Sequence, residues 1–231
     1  MTSTRRRFTL WLAGLLPLLA ACRPSPMTPA SATTPEAAAD LVPLPAPSLD
    51  SGPPLTQVLA ERRSVREYGI RPLTDAEVGQ LAWAAQGVTN EVGYRTAPSA
   101  GATYPLDLYL ARQDGLYRYL PTDHALLPLR LDDVRPSLAT GGLDQECLKT
   151  APVVFILTAT PGRSSPRYGD RAERYVRLEA GHACQSLLLQ ACGLGLGAVP
   201  VGAFDDADIA RTIGLPNGEE SVYLVPVGPR A

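Results

Sequence analysis

The chain has 231 residues, 45% hydrophobic and 19% charged, with 21 basic against 23 acidic side chains and a formal net charge of −2. That length suits one substantial core, and a slightly acidic balance gives no electrostatic footing for nucleic acid. The four cysteines, Cys22, Cys147, Cys184 and Cys192, include no CxxC pair, and the two histidines have no paired ligand spacing, so no metal site is expected.

The first segment reads as a leader. Arg5, Arg6 and Arg7 precede the apolar run LWLAGLLPLLAA and then Cys22, the order of a secretory signal, and the run is too short for a stable membrane span. Leu19-Ala20-Ala21-Cys22 has the form of a lipobox, so residues 1–21 are expected to be removed and Cys22 to carry a diacylglyceryl anchor. That places the protein on the periplasmic side of a bacterial cell envelope, held at a membrane surface. Arg5-Arg6 with Phe8 also fits the twin-arginine export motif, the alternative being a general secretory signal. Residues 23–54 hold nine prolines among small and polar residues, a composition that cannot pack and is expected to form a disordered linker. The folded domain is then expected over 55–231.

RRSVREY, Arg62 to Tyr68, opens that domain with a local surplus of positive charge. Arg62, Ser64 and Arg66 alternate, so in an extended segment they point to one side, where guanidinium groups and a hydroxyl can hold a phosphate monoester. A solvated turn is the alternative. Thr74-Asp75-Ala76-Glu77 is a capping box, and Val78, Leu81, Ala82 and Ala85 follow at helical spacing, predicting a helix that ends near Gln86-Gly87. Residues 87–105, rich in Gly, Pro, Ser and Thr, read as a long functional loop. LDLYLA and LYRYL flank Gln113-Asp114-Gly115 as a hairpin, and PVVFILT at 152–158 suits a buried strand.

From Arg171 to Ala191 the apolar positions Leu178, Ala180, Ala183, Cys184, Leu187, Leu188 and Ala191 predict a long central helix with little water around it. Asp170, Arg171, Glu173, Arg174 and Arg177 at its start read as an ion-paired, solvated face. Cys184 and Cys192, eight residues apart on that helix, are separated by about 12 Å of rise, too far for a disulfide. AVPVG, a helix over DDADIARTI capped by Asp205 or Asp206, and a last strand SVYLVPVG complete the domain. Strands and helices mix without βαβ alternation, which predicts an α+β fold, a central sheet packed with helices around one long helix.

Gly193-x-Gly195-x-x-Ala198 matches the loose dinucleotide fingerprint, but it follows a helix and precedes a strand, the reverse of what that fingerprint needs. A helix stop followed by a close backbone approach is the simpler account.

RRSVREY, APSAGATYPLDLYLA at 97–111, EAGHACQSLLLQA at 179–191 and GLGAVPVGAFDD at 195–206 occur in the order seen in the nitroreductase superfamily of FMN enzymes. Together they most resemble its SagB/ThcOx-type dehydrogenases, over essentially all of residues 55–228. The resemblance implies an FMN-dependent oxidoreductase with a nitroreductase-like α+β fold, a homodimer with FMN at the subunit interface, acting on a small-molecule or peptide substrate with an unknown electron donor. It makes Arg62, Ser64 and Arg66 ligands of the FMN phosphate and ribityl chain, with Arg63 assisting. Pro98, Ser99, Ala100, Gly101 and Thr103 would approach the ribityl chain and ring. Pro200, Val201, Gly202 and Ala203 would line the isoalloxazine, with a backbone N–H near Gly202 directed at flavin N5. A flavin-binding module without turnover, an accessory part of an envelope complex, is the alternative function.

Two departures from the family pattern bear on chemistry. Azoline-oxidising relatives resemble a Lys-Tyr-Gly before the long helix, whereas this chain has Arg167-Tyr168-Gly169. Arg167 and Tyr168 occupy the catalytic positions, but an arginine stays protonated and is a poor general base. The family's further basic residue after the last strand has Arg230 as its candidate here. His182 is expected to be a structural histidine inside the helix, while Tyr104 and Tyr168 suit either substrate contact or packing.

Overall fold

The computed structural model describes residues 41–231. The leader, its arginines, the lipobox with Cys22 and residues 23–40 of the expected linker lie outside the described residues. Seven strands form one antiparallel sheet: β1 (Val42–Pro43), β2 (Leu106–Arg112), β3 (Gly115–Leu120), β4 (Ala125–Arg130), β5 (Val153–Ala159), β6 (Leu196–Ala198) and β7 (Glu220–Pro229), in the order β1-β4-β3-β2-β5-β7-β6. The helices are α1 (Leu55–Glu61), α2 (Asp75–Gln86), α3 (Arg135–Gly141), α4 (Glu146–Thr150), α5 (Ser165–Tyr168), α6 (Ala172–Gly193) and α7 (Asp206–Ile213).

The sheet is a middle layer. Every residue of β5 is buried, and alternate side chains of a strand point to opposite faces. Val153, Phe155 and Leu157 therefore join Leu81 and Ala85 of α2 and Ala183 and Leu187 of α6 on one side. Val154 and Ile156 join Leu138 of α3, Leu148 of α4 and Ile209 of α7 on the other. The α+β class is the observed one.

Local chemistry sets the helix ends. Thr74 accepts from the Glu77 N–H while the Glu77 carboxylate accepts from the Thr74 N–H, a complete capping box. Glu77 also takes both Arg71 nitrogens, at 2.8 and 2.9 Å. Asp205 caps α7 through the Asp208 N–H, and Gly214 ends that helix in the left-handed conformation.

Three expectations need correction. The folded unit begins before residue 55: Val42 and Pro43 pair with Leu126 and Ala125 of β4, Leu44 is buried, and the Ser48 N–H donates to Gln80 Oε1 at 2.8 Å. Proline is compatible with this because β1 is an edge strand, where a missing donor leaves no central ladder bond unmade. Secondly, α6 is not dry all round. It buries Val176, Ala180, Ala183, Cys184, Leu187 and Ala191, while Leu178 is 53% exposed. Thirdly, His182 is exposed rather than buried in the helix interior.

Candidate active site

The residues singled out in the sequence gather in two groups, placed toward the two ends of α6. The first lies along β6. The Arg62 N–H donates to Val58 O of α1, and Val65 N–H then donates to Ala198 O at 3.0 Å. This close approach depends on Gly197, where a Cβ would stand 2.5 Å from Val65 Cγ1. The Tyr68 hydroxyl donates to Val65 O and Pro226 O, at 2.8 and 3.1 Å, so the segment is pinned at its inward residues. Ser64 and Arg66 are exposed and Arg62 is half-buried.

Arg230 joins the same edge. It bridges Tyr68 and donates to Leu196 O at 3.3 Å and to Cys192 Sγ at 3.6 Å. Arg63 folds back onto Ala60 O and Arg62 O. Among the described residues, Arg62, Arg63, Arg66 and Arg230 have no carboxylate partner, as is also true of Arg95, Arg167, Arg171 and Arg174, whereas Arg71, Arg112, Arg118, Arg130, Arg135 and Arg163 do. Guanidinium groups that make no ion pair can take an anion, and the exposed carboxylates nearest in sequence are Glu61 and Glu67.

Past β6, Val201 is fixed to Leu224 by two backbone bonds of 2.8 and 3.0 Å. Gly202 and Ala203 follow, both exposed. The N–H groups of Gly202, Ala203 and Phe204 have no acceptor among the described residues, so this stretch offers free donors beside the arginine edge.

The second group surrounds the loop Pro98–Thr103. Gly101 has φ +59, and Arg167 Nη1 donates to its carbonyl at 3.4 Å. Thr103 Oγ1 and Ser164 Oγ lie 2.8 Å apart, with Ser164 1% exposed. Arg163 donates to Tyr104 O at 3.2 Å and to Asp107 at 2.6 Å. The turn carrying Arg167 and Tyr168 is thereby tied to the loop at several points. Tyr104, with φ +44, is covered by the Arg95 guanidinium 4.7 Å from its ring centre.

Glu179 of α6 lies beneath this loop, 3% exposed and with Oε1 unpartnered. Burial pushes its carboxyl pKa up, against the opposing pull of the Ser99 hydroxyl, the Arg95 charge and the Ala100 N–H. A cavity of about 260 Å³ opens beside it, lined by Pro98, Ser99, Tyr175, Leu178, Glu179 and His182. A larger cavity of about 640 Å³ lies elsewhere, beside Ile70, Arg112 and Arg135. Both of its arginines are already paired, with Asp75 and Asp114 and with Asp133, which leaves it little charge to offer a ligand.

Along α6 the two groups are set apart. Glu179 and Cys192 are thirteen residues apart on α6, about 20 Å of helix. Sequence reasoning missed Arg95, Glu179, Asp107 and Arg163; Asp107 and Arg163 meet across 56 residues, and Arg95 acts on Tyr104 across a loop that spacing alone does not fold.

The chain belongs to the nitroreductase family, whose pattern matches residues 59–229. A protein of Methanocaldococcus jannaschii named as a nitroreductase is 43% identical over 180 residues, 75% of this chain and 90% of that one. A crystal structure of a nitroreductase from Ralstonia eutropha JMP134 superposes with a TM-score of 0.75 at 31% identity, covering 83% of this chain and 90% of that one. The NADPH:FMN oxidoreductase of Vibrio harveyi, solved with NAD+, shares the fold, with a TM-score of 0.58, 17% identity and 76% and 68% coverage. The protein is thus an oxidoreductase of this family.

Proposed function

We propose that the protein is an FMN-dependent oxidoreductase of the SagB-type dehydrogenase branch, working as a homodimer with each flavin site built from two chains. The observation that carries this reading is the edge of arginines that make no ion pair among the described residues, with Ser64 bridged to β6 and the free N–H groups of Gly202–Phe204 following that strand. Its donor set fits a phosphate monoester, for which guanidinium forks and a hydroxyl are suited. In this reading Arg62, Ser64 and Arg66 hold the phosphate and ribityl chain, Arg63 and Arg230 supplement the positive charge, and Pro200–Ala203 line the ring. FMN when bound supplies the redox chemistry, and the protein orients it and sets its electrostatics.

The separation of the two groups supports the dimer. Pro98, Ser99, Ala100, Gly101 and Thr103 stand too far along α6 to serve the same chain's arginine edge, so they serve the partner's. Arg167 and Tyr168, packed on Gly101, then face the substrate. Arg167 remains a cation and receives an anionic or acceptor group instead of removing a proton. This disfavours peptide azoline oxidation and favours a small organic acceptor. Residues 1–21 as an export leader and Cys22 as a lipid anchor would place this chemistry on the periplasmic side of the envelope, away from the cytoplasmic nicotinamide pool.

The test is anaerobic titration of the bound flavin with dithionite, followed by rapid mixing with a quinone or a nitroaromatic. Stoichiometric reduction and turnover-scale reoxidation support the enzyme. A flavin that reduces but is not reoxidised by either acceptor leaves a binding module. Sedimentation of the loaded protein as a monomer contradicts the shared site.

A further inference from the structure

Gln145 connects the end of α3 to the ring-lining segment. Its Nε2 donates to Gly142 O at 2.8 Å and to Ala203 O at 2.9 Å. A second tether runs parallel to it, the Asp205 N–H donating to Gly141 O at 2.8 Å. Upstream, Val201 is held by its two bonds to Leu224. Gly202 and Ala203 are therefore suspended between two fixed points, with their N–H groups free.

The turn that delivers Gln145 is costly. Leu143 and Asp144 are consecutive non-glycine residues with φ +59 and +57, a conformation that a side chain disfavours. Gln145 also occupies the N-cap of α4 without capping it, where Ser, Thr, Asp or Asn would satisfy a helix N–H. Strained backbone at Leu143 and Asp144 leads directly into Gln145, the N-cap residue whose side chain makes no cap and reaches across to Ala203, and retained strain of this kind clusters where geometry matters for function.

We infer that Gln145 is a positioning residue that fixes the Ala203–Phe204 peptide, and with it the run of N–H groups after Gly202, and so sets how strongly the protein favours reduced over oxidised flavin. The inference rests on the placement of FMN against Pro200–Ala203. Reduction puts negative charge on the ring, and a donor held in place beforehand stabilises that charge without reorganising. With the Ala203 carbonyl released, the Ala203 and Phe204 N–H groups would sample other directions, while the Gly202 N–H stays oriented by the Val201 carbonyl on Leu224, and the reduced form would lose more than the oxidised form. Phosphate binding at Arg62, Ser64 and Arg66 would continue, since those residues hang on β6 and not on α3.

Full-length holoprotein, wild type, Gln145→Leu and Gln145→Lys, is compared for FMN per chain and for the flavin midpoint potential. Gln145→Leu is expected to keep its FMN while losing about tenfold in preference for the reduced form, a midpoint about 30 mV more negative for a two-electron couple. Gln145→Lys retains N–H donors and is expected to restore most of the shift. A Gln145→Leu protein that holds FMN at the wild-type potential overturns the clamp and leaves the flavin site standing. Variants that lose flavin only in step with loss of folding, Gln145→Lys included, also overturn it. A wild type that binds no FMN removes both readings together.

Discussion

Gly101 lies against the side chain of Tyr168 so closely that a Cβ on it would stand 2.6 Å from the phenol oxygen and 2.8 Å from Arg167 Nε. The backbone there is left-handed, at φ +59. Both side chains can swing away, so the clash itself is relieved cheaply, but the backbone strain stays. Gly101→Ala is expected to cost about 1 kcal/mol, which lowers Tm by about 2–4 °C for a domain of this size. It should also displace Arg167 and Tyr168 and reduce kcat/KM more than FMN affinity. Thermal melts and steady-state kinetics check both halves.

The arginine edge makes a prediction that depends mainly on the phosphate. Charge-assisted hydrogen bonds contribute about 1.5–3 kcal/mol each, so Arg62→Ala or Arg66→Ala should weaken FMN binding by about ten- to a hundredfold. Riboflavin, which lacks the phosphate but keeps the ribityl chain, should lose much less affinity in both variants than FMN does. Fluorescence quenching titrations with the two flavins separate this account from a general loss of the site.

Gly197 tests the path by which the segment is held. A Cβ at this position would meet Val65 Cγ1 at 2.5 Å and Val65 Cβ at 2.9 Å. The Cβ of Val65 cannot rotate out of reach, so Gly197→Ala must push the Ser64–Arg66 segment off β6. The expected result is an FMN affinity reduced as far as in the arginine variants although no flavin ligand is altered. A crystal structure of the variant should show a longer separation between Val65 N and Ala198 O.

Glu179 gives a pH dependence. Burial raises its carboxyl pKa in the folded chain, so across the window between its unfolded and folded values the folded state binds more protons than the unfolded one. Stability contributed by the protonated form is then full below the unfolded value and lost as pH rises through the folded one. Glu179→Gln keeps the shape of the side chain and removes the charge. The variant should show a flatter stability profile above the ordinary carboxylate range. Denaturant melts at a series of pH values measure it, and an unchanged slope would contradict the assignment.

Local signals made parts of this molecule readable from sequence. The capping box at Thr74 and the apolar run of β5 each depend on residues a few positions apart. β1 and β4 were hidden because Pro43 and Pro128 lie within them. Both are tolerated for positional reasons: Pro43 sits on the sheet edge, and Pro128 sits opposite Tyr117, where the β3–β4 register shifts. Periodicity cannot reveal an edge or a bulge before the pairing is known.

The site divides along the same line. RRSVREY stands out because three arginines in an acidic chain are a surplus visible without a fold. Gln145 shows nothing comparable, since its meaning lies in a carbonyl of Ala203 that is 58 residues away. His182 was misjudged for a related reason: helical spacing places it among apolar residues, but α6 turns that face outward at this level. Spacing along one chain also says nothing about whether two segments serve the same pocket or a partner's.

The most direct measurement is the absorption spectrum of the purified protein, produced where FMN is present, with mass identification of the released chromophore. Flavin bands with FMN recovered near one per chain, falling sharply in Arg62→Ala plus Arg66→Ala, are the predicted result. A colourless protein that takes up no added FMN, or one whose flavin content is indifferent to those two arginines, would contradict the account.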